Sequence, residues 1–94
     1  MATATLNGQV IARSDATVVV EGNHYVPPHS VDRALLRDSD MTTRCPWKGT
    51  ASYVDLVVGD EVHADAAWYY PDPRDAAKEI AGHLAFGRSA TIEP

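Results

Sequence analysis

A chain of 94 residues is long enough for one domain with a modest core and too short for two, so it reads as a single domain spanning 1–94. Its apolar share of 45% is ordinary for a globular protein, and a formal net charge of −5 with a pI near 5.1 argues against general attraction to nucleic acid or to an anionic membrane surface. The lone Cys45 excludes an intramolecular disulfide and any CxxC zinc site, which makes a reducing, cytoplasmic setting the expectation; residues 1–6 lack the basic flank and apolar run of a signal peptide, and no segment has membrane-spanning length.

Asn7-Gly8 predicts a type I′ hairpin turn between strands at 4–6 and 9–12, because both residues tolerate positive φ. Residues 17–21 form a β-branched run, and Gly22-Asn23 is the expected turn into His24-Tyr25-Val26, which Pro27-Pro28 ends. That register sets Glu21 opposite His24, as an acid–base pair or as a surface contact. Ser30 is a suitable N-cap for a short helix over 31–37 that Asp38-Ser39-Asp40 would stop. Arg33, Arg37, Arg44 and Lys48 make a locally basic stretch, either a solvated face or an anion contact.

Cys45-Pro46-Trp47-Lys48-Gly49 follows, and it concentrates the chemistry of the chain. Proline fixes φ near −65° and pushes Cys45 toward an extended conformation, while Gly49 permits a positive φ. The thiol, a primary amine and a Trp are thereby held close together. A nearby ammonium would favour the thiolate of Cys45 as a nucleophile; a small buried Cys with an inert thiol is the alternative.

A strand over 51–58, a Gly59-Asp60 turn and a strand over 61–70 come next. A two-residue turn there opposes Val57 with Val62, Asp55 with Ala64, Tyr53 with Ala66 and Ala51 with Trp68, all on one face. Large aromatics against alanines leave either a hollow or room for a packed element, and Asp55 on such a face needs a partner. His63 and Asp65 alternate on the other face, which is weak evidence for metal, and His29 and His83 sit at helix ends. Asp72-Pro73-Arg74-Asp75 opens a second short helix carrying Ala76, Ala77, Ile80, Ala81 and Leu84, and residues 89–93 form a last strand. The expected fold class is α+β, mainly antiparallel β with two short helices.

Several blocks, in order along nearly the whole chain, resemble a bacterial family known as domain of unknown function 427. They are Asn7-Gly8, Val20-Glu21-Gly22, Tyr25-Val26-Pro27, the run from Cys45 through Tyr53, Ala67-Trp68-Tyr69-Tyr70-Pro71, and the run from Ile80 through Phe86. The resemblance implies a β-tent, or Mss4-like, architecture of two small antiparallel sheets leaning over a groove. Relatives by fold include a nucleotide-exchange chaperone, B-type methionine sulfoxide reductases and aromatic-cage ligand binders. Many of them hold zinc through paired Cys motifs, for which this chain has no residues, so no metal and no cofactor are expected. The family also carries a nucleotidyltransferase label, but neither a Gly-rich phosphate loop nor paired catalytic carboxylates are present.

The leading expectation is a small-molecule binding module. Its groove would be lined by Trp47, Tyr53, Trp68 and Tyr69, made polar by Lys48, Asp55 and Glu21, and suited to an anionic or heteroaromatic metabolite or a nucleotide. The alternative is an enzyme using Cys45 as nucleophile or redox thiol with Lys48 assisting. A protein-interaction domain is the third reading. Nothing in the sequence names a ligand or an oligomeric state, and which of Tyr69 and Tyr70 faces the groove is open.

Overall fold

The computed structural model describes residues 1–93. Asn7 and Gly8 take φ of 51° and 81° and join β1 (Ala2–Leu6) to β2 (Gln9–Ser14), with Leu6 opposite Gln9, as the Asn-Gly signal requires. A bulge between Ala4 and Thr5 lets β2 bury both Ile11 and Ala12. The other side of β1 pairs with β9 (Thr91–Glu93), giving a three-stranded sheet of order β2-β1-β9.

β3 (Val18–Val20) and β4 (Asn23–Tyr25) form a separate two-stranded ribbon. Its register corrects the expected one. Val19 opposes His24 and Val20 opposes Asn23, so the turn is Glu21-Gly22, with φ of 54° and 80°. Glu21 is therefore not paired with His24. A left-handed Glu is locally unfavourable, and its side chain compensates through a contact far along the chain, described below.

The largest sheet has order β5-β6-β7-β8, built from β5 (Leu36–Cys45), β6 (Gly49–Val58), β7 (Glu61–Tyr69) and β8 (Leu84–Phe86). Among the described residues the pairings between these strands are antiparallel, and one isolated parallel bridge joins Tyr70 to Ala81. The Gly59-Asp60 turn holds as expected, with Val57 opposite Val62. Beyond it, β7 places Ala64, Asp65 and Ala66 against the single residue Asp55, and Asp65 takes φ of 53°. Tyr53 consequently opposes Trp68 rather than Ala66, and Ser52 opposes Tyr69. β5 carries a matching irregularity, with Ser39, Asp40 and Met41 set against Tyr53.

The expected helices are the other correction. Among the described residues there is no α-helix, only 3-10 turns at Pro28–Ser30, Arg33–Leu35 and Asp75–Ile80. Asp32 rather than Ser30 caps the second of these, accepting from Ala34 N, and Leu36 already belongs to β5. Asp75–Ile80 is kinked at Ala77, and Leu84, read as the last residue of its apolar stripe, instead opens β8, paired with β7. The fold is thus mainly antiparallel β in three sheets, where two sheets and two helices were expected. No helix among the described residues is long and apolar enough to cross a membrane.

Alternation along the large sheet divides the core in two. Val54, Leu56, Val58, Ala67, Leu84 and Phe86 face a cluster completed by Ala4, Leu6, Ile11, Ala12, Val26 and Val31. On the opposite face Ala51 and Ala85 join Tyr25, Tyr70, Ala77 and Ile80, with Tyr53, Trp68 and Cys45 packed against them. Fully burying a side chain the size of Leu6, Ile11, Leu56 or Ile80 contributes about 2 kcal/mol each. The central strands need both covers, since each turns apolar side chains to both sides.

Candidate functional site

The Cys45–Gly49 turn closes β5 onto β6, with Cys45 directly opposite Gly49. Gly49 has φ of 114°, a conformation L side chains rarely take, and its Cα faces the backbone of Asp72, Pro73 and Arg74. Arg74 N donates to Lys48 O over 2.8 Å, so the turn is docked onto the segment that leads into Asp75–Ile80.

That docking aims the Lys48 side chain inward, where the residue is only 6% exposed. Its ammonium donates to Glu21 Oε1 at the tip of the β3–β4 ribbon. It also stands over two rings, 5.5 Å from the Trp47 centroid and 5.4 Å from that of Tyr70. Burial works against the Lys48 charge, but the Glu21 hydrogen bond and the nearby Tyr25 and Tyr70 outweigh it and hold the pKa above the ordinary lysine value. The same hydrogen bond from Lys48 holds the Glu21 carboxyl below the ordinary range, and burial pushes the Tyr70 phenol up against the pull of Lys48.

The aromatic residues around this pair are linked. Trp68 Nε1 donates to Tyr25 Oη over 3.2 Å, Tyr25 and Tyr70 have ring centroids 6.4 Å apart, and Tyr53 and Trp68 are 6.0 Å apart. Cys45 is a free, half-buried thiol packed against the same cluster. Among the described residues it shares no hydrogen bond with Lys48, whose ammonium is engaged by Glu21.

The structure thus gathers Glu21, Cys45, Trp47, Lys48, Tyr53 and Trp68 around one cluster and leaves two of the candidate residues outside it. Asp55 finds the partner its position demanded. Arg37 donates to its carboxylate at 3.0 and 3.2 Å, and Asp65 N donates at 2.9 Å. The backbone donor first, and then Arg37, hold the Asp55 carboxyl below the usual range. Ser39 Oγ, from the irregular stretch of β5, donates to Asp65 Oδ1 in the bulge of β7, so one polar network spans the sheet across β6. His63 stands apart from it, with Nε2 3.8 Å from Glu61 Oε2.

Tyr69 points away from Trp68, to the other face, where it packs against the first cluster. There it borders an open cavity of about 500 Å³ whose wall includes Leu36, Val54 and Leu84, with Arg33 and Asp38. Tyr70, not Tyr69, joins Lys48. The choice between Tyr69 and Tyr70, open in the sequence, falls to Tyr70; Tyr25 was missed, and the available signal was its place in the strand that Pro27 ends.

The model of the family described as domain of unknown function DUF427 matches residues 1–93. The chain belongs to this family. The search of curated proteins found no match. Membership in DUF427 covers the elements on both faces of the large sheet, from the β1–β2 hairpin to β9.

Proposed function

We propose that this DUF427 domain is a small-molecule binding module of the β-tent type, and that Lys48 and Trp47 receive an anionic, heteroaromatic metabolite such as a nucleotide. The β-tent reading rests on two small antiparallel sheets, β2-β1-β9 and β5-β6-β7-β8, packed over a shared cluster. One observation carries the ligand reading. The Lys48 side chain is 8% exposed, whereas that of Glu21, its counter-charge, is 52% exposed. The ion pair is sealed behind the ammonium and open in front of it.

A phosphate or carboxylate arriving from solvent can therefore displace the Glu21 side chain, which sits on a two-residue turn, and take its place against the ammonium. The displaced carboxylate returns to water at small cost, since it is already half solvated. Trp47, 40% exposed, offers a ring face beside the same ammonium for a base to stack on.

The test is titration of the full chain with ATP, followed by Trp fluorescence. Saturable quenching that Lys48→Ala abolishes, while circular dichroism shows the fold intact, supports the reading. Glu21→Gln removes the competing carboxylate and should tighten binding. No quenching at millimolar nucleotide, or equal affinity in wild type and Lys48→Ala, would overturn it.

A further inference from the structure

The cavity beside Tyr69 lies on the face of the large sheet opposite Lys48. Its floor crosses the strands diagonally: Leu36 from β5, Val54 from β6, and the opposed pair Tyr69 from β7 and Leu84 from β8. Val54 and Leu84 are buried, and Leu36 and Tyr69 half-buried, so the floor is core surface that the chain itself leaves unfilled. At about 500 Å³ the cavity falls within the size range of pockets that hold small organic ligands.

Two opposite charges border this apolar floor. Arg33 comes from a 3-10 turn and Asp38 from β5, and both side chains are exposed. Neither forms an ion pair among the described residues, where the acid–base pairs are Met1 with Asp15, Arg37 with Asp55, Lys48 with Glu21 and His63 with Glu61. The neighbouring Arg37 is committed to Asp55, which leaves Arg33 as the cation of the cavity wall.

We propose that this cavity is a second binding site, for a free α-amino acid with a large apolar or aromatic side chain. Such a ligand carries a carboxylate and an ammonium on one carbon, complementary to the guanidinium and the carboxylate that line this cavity. Its side chain covers Val54 and Leu84, and an aromatic one meets the ring of Tyr69. A ligand with only one of the two charges makes one charge-assisted contact where the amino acid makes two. The site is independent of Lys48 and of the function proposed for it.

The full chain, 15N-labelled, is titrated with L-phenylalanine, with 3-phenylpropionate, which lacks the ammonium, and with phenethylamine, which lacks the carboxylate. Saturable amide shifts confined to the cavity lining, Arg33, Leu36, Asp38, Val54, Tyr69, Gly82 and Leu84, are expected with L-phenylalanine, and binding about tenfold weaker with either analogue. Arg33→Gln and Asp38→Asn should each weaken L-phenylalanine by about tenfold, with the rest of the spectrum unchanged. Lys48→Ala should leave its affinity as it was. Absence of shifts up to the solubility of L-phenylalanine, shifts elsewhere, or equal binding of all three probes would overturn the proposal.

Discussion

Trp68 Nε1 donates to Tyr25 Oη over 3.2 Å, and this bond ties the third strand of the large sheet to the small β3–β4 ribbon. Tyr25 is completely buried, and its ring also lies 6.4 Å from that of Tyr70. The ribbon belongs to neither larger sheet, and its position over Lys48 rests on this contact together with two 2.8 Å backbone hydrogen bonds between Val26, just past β4, and Leu84 of β8. Tyr25→Phe keeps the ring and removes the acceptor. It should lower stability by about 1 kcal/mol in urea unfolding with an unchanged denaturant slope.

The Lys48–Glu21 and Asp55 interactions set the pH dependence. Glu21 and Asp55 have folded pKa values below their ordinary 4.5 and 3.8, so their contribution is present above those values and is lost as pH falls through the folded ones. Lys48 has a raised folded pKa, so its contribution is complete below its ordinary 10.5 and is lost only as pH rises beyond that. For these groups, the thermal midpoint should be flat from about pH 5 to 10 and fall on the acid side. The acid limb should be shallower in the Glu21→Gln, Asp55→Asn double variant than in wild type, measured by circular dichroism melts across pH.

Asp65 holds a left-handed φ of 53° and accepts from Ser39. Asp65→Gly loses that hydrogen bond but relieves the backbone, whereas Asp65→Ala loses the bond and keeps the strain. Chemical denaturation should find the Ala variant less stable than the Gly variant by about 1 kcal/mol. Equal stabilities would mean that the bulge relaxes.

Ile80 closes the Lys48-side cluster from the end of a 3-10 turn and is fully buried. Ile80→Ala should cost about 3 kcal/mol, as for a core residue on regular structure. A calorimetric melt would show the loss, and a change under about 1 kcal/mol would mean the turn collapses to fill the gap.

Local signals were enough where backbone chemistry decides. Asn7-Gly8 and Gly59-Asp60 both turn as their residues dictate, and Asp55 has the partner that a carboxylate on an apolar face requires. They failed where a distant contact decides. Asn23 is the better residue for a left-handed turn position, yet Glu21 takes it because the turn then delivers a carboxylate to Lys48, 27 residues away. Nor could the bulge opposite Asp55 be read ahead, since it depends on Ser39 from β5 reaching Asp65 of β7. Leu84 was legible as apolar but not as strand, because β8 exists through its pairing with β7. Of the candidate site, Glu21, Cys45, Trp47, Lys48, Tyr53 and Trp68 gather around one cluster, which Tyr70 joins and Tyr69 does not because a strand sends neighbours to opposite faces.

The surplus residues in β7 act as slack in the large sheet. Ala64, Asp65 and Ala66 stand where one residue would suffice, yet Val54 meets Ala67 and Tyr53 meets Trp68 beyond them. The first hairpin holds a smaller version of the same device, since Ile11 is a single extra residue in β2 and Ala12 still meets Ala4. Removing one residue from the β7 stretch would leave a bulge of that smaller kind, with Trp68 and Tyr69 on the sides they hold now. Length changes are thus absorbed at this point, whereas a one-residue slip in the regular pairing beyond Ala67 would exchange the faces of Trp68 and Tyr69.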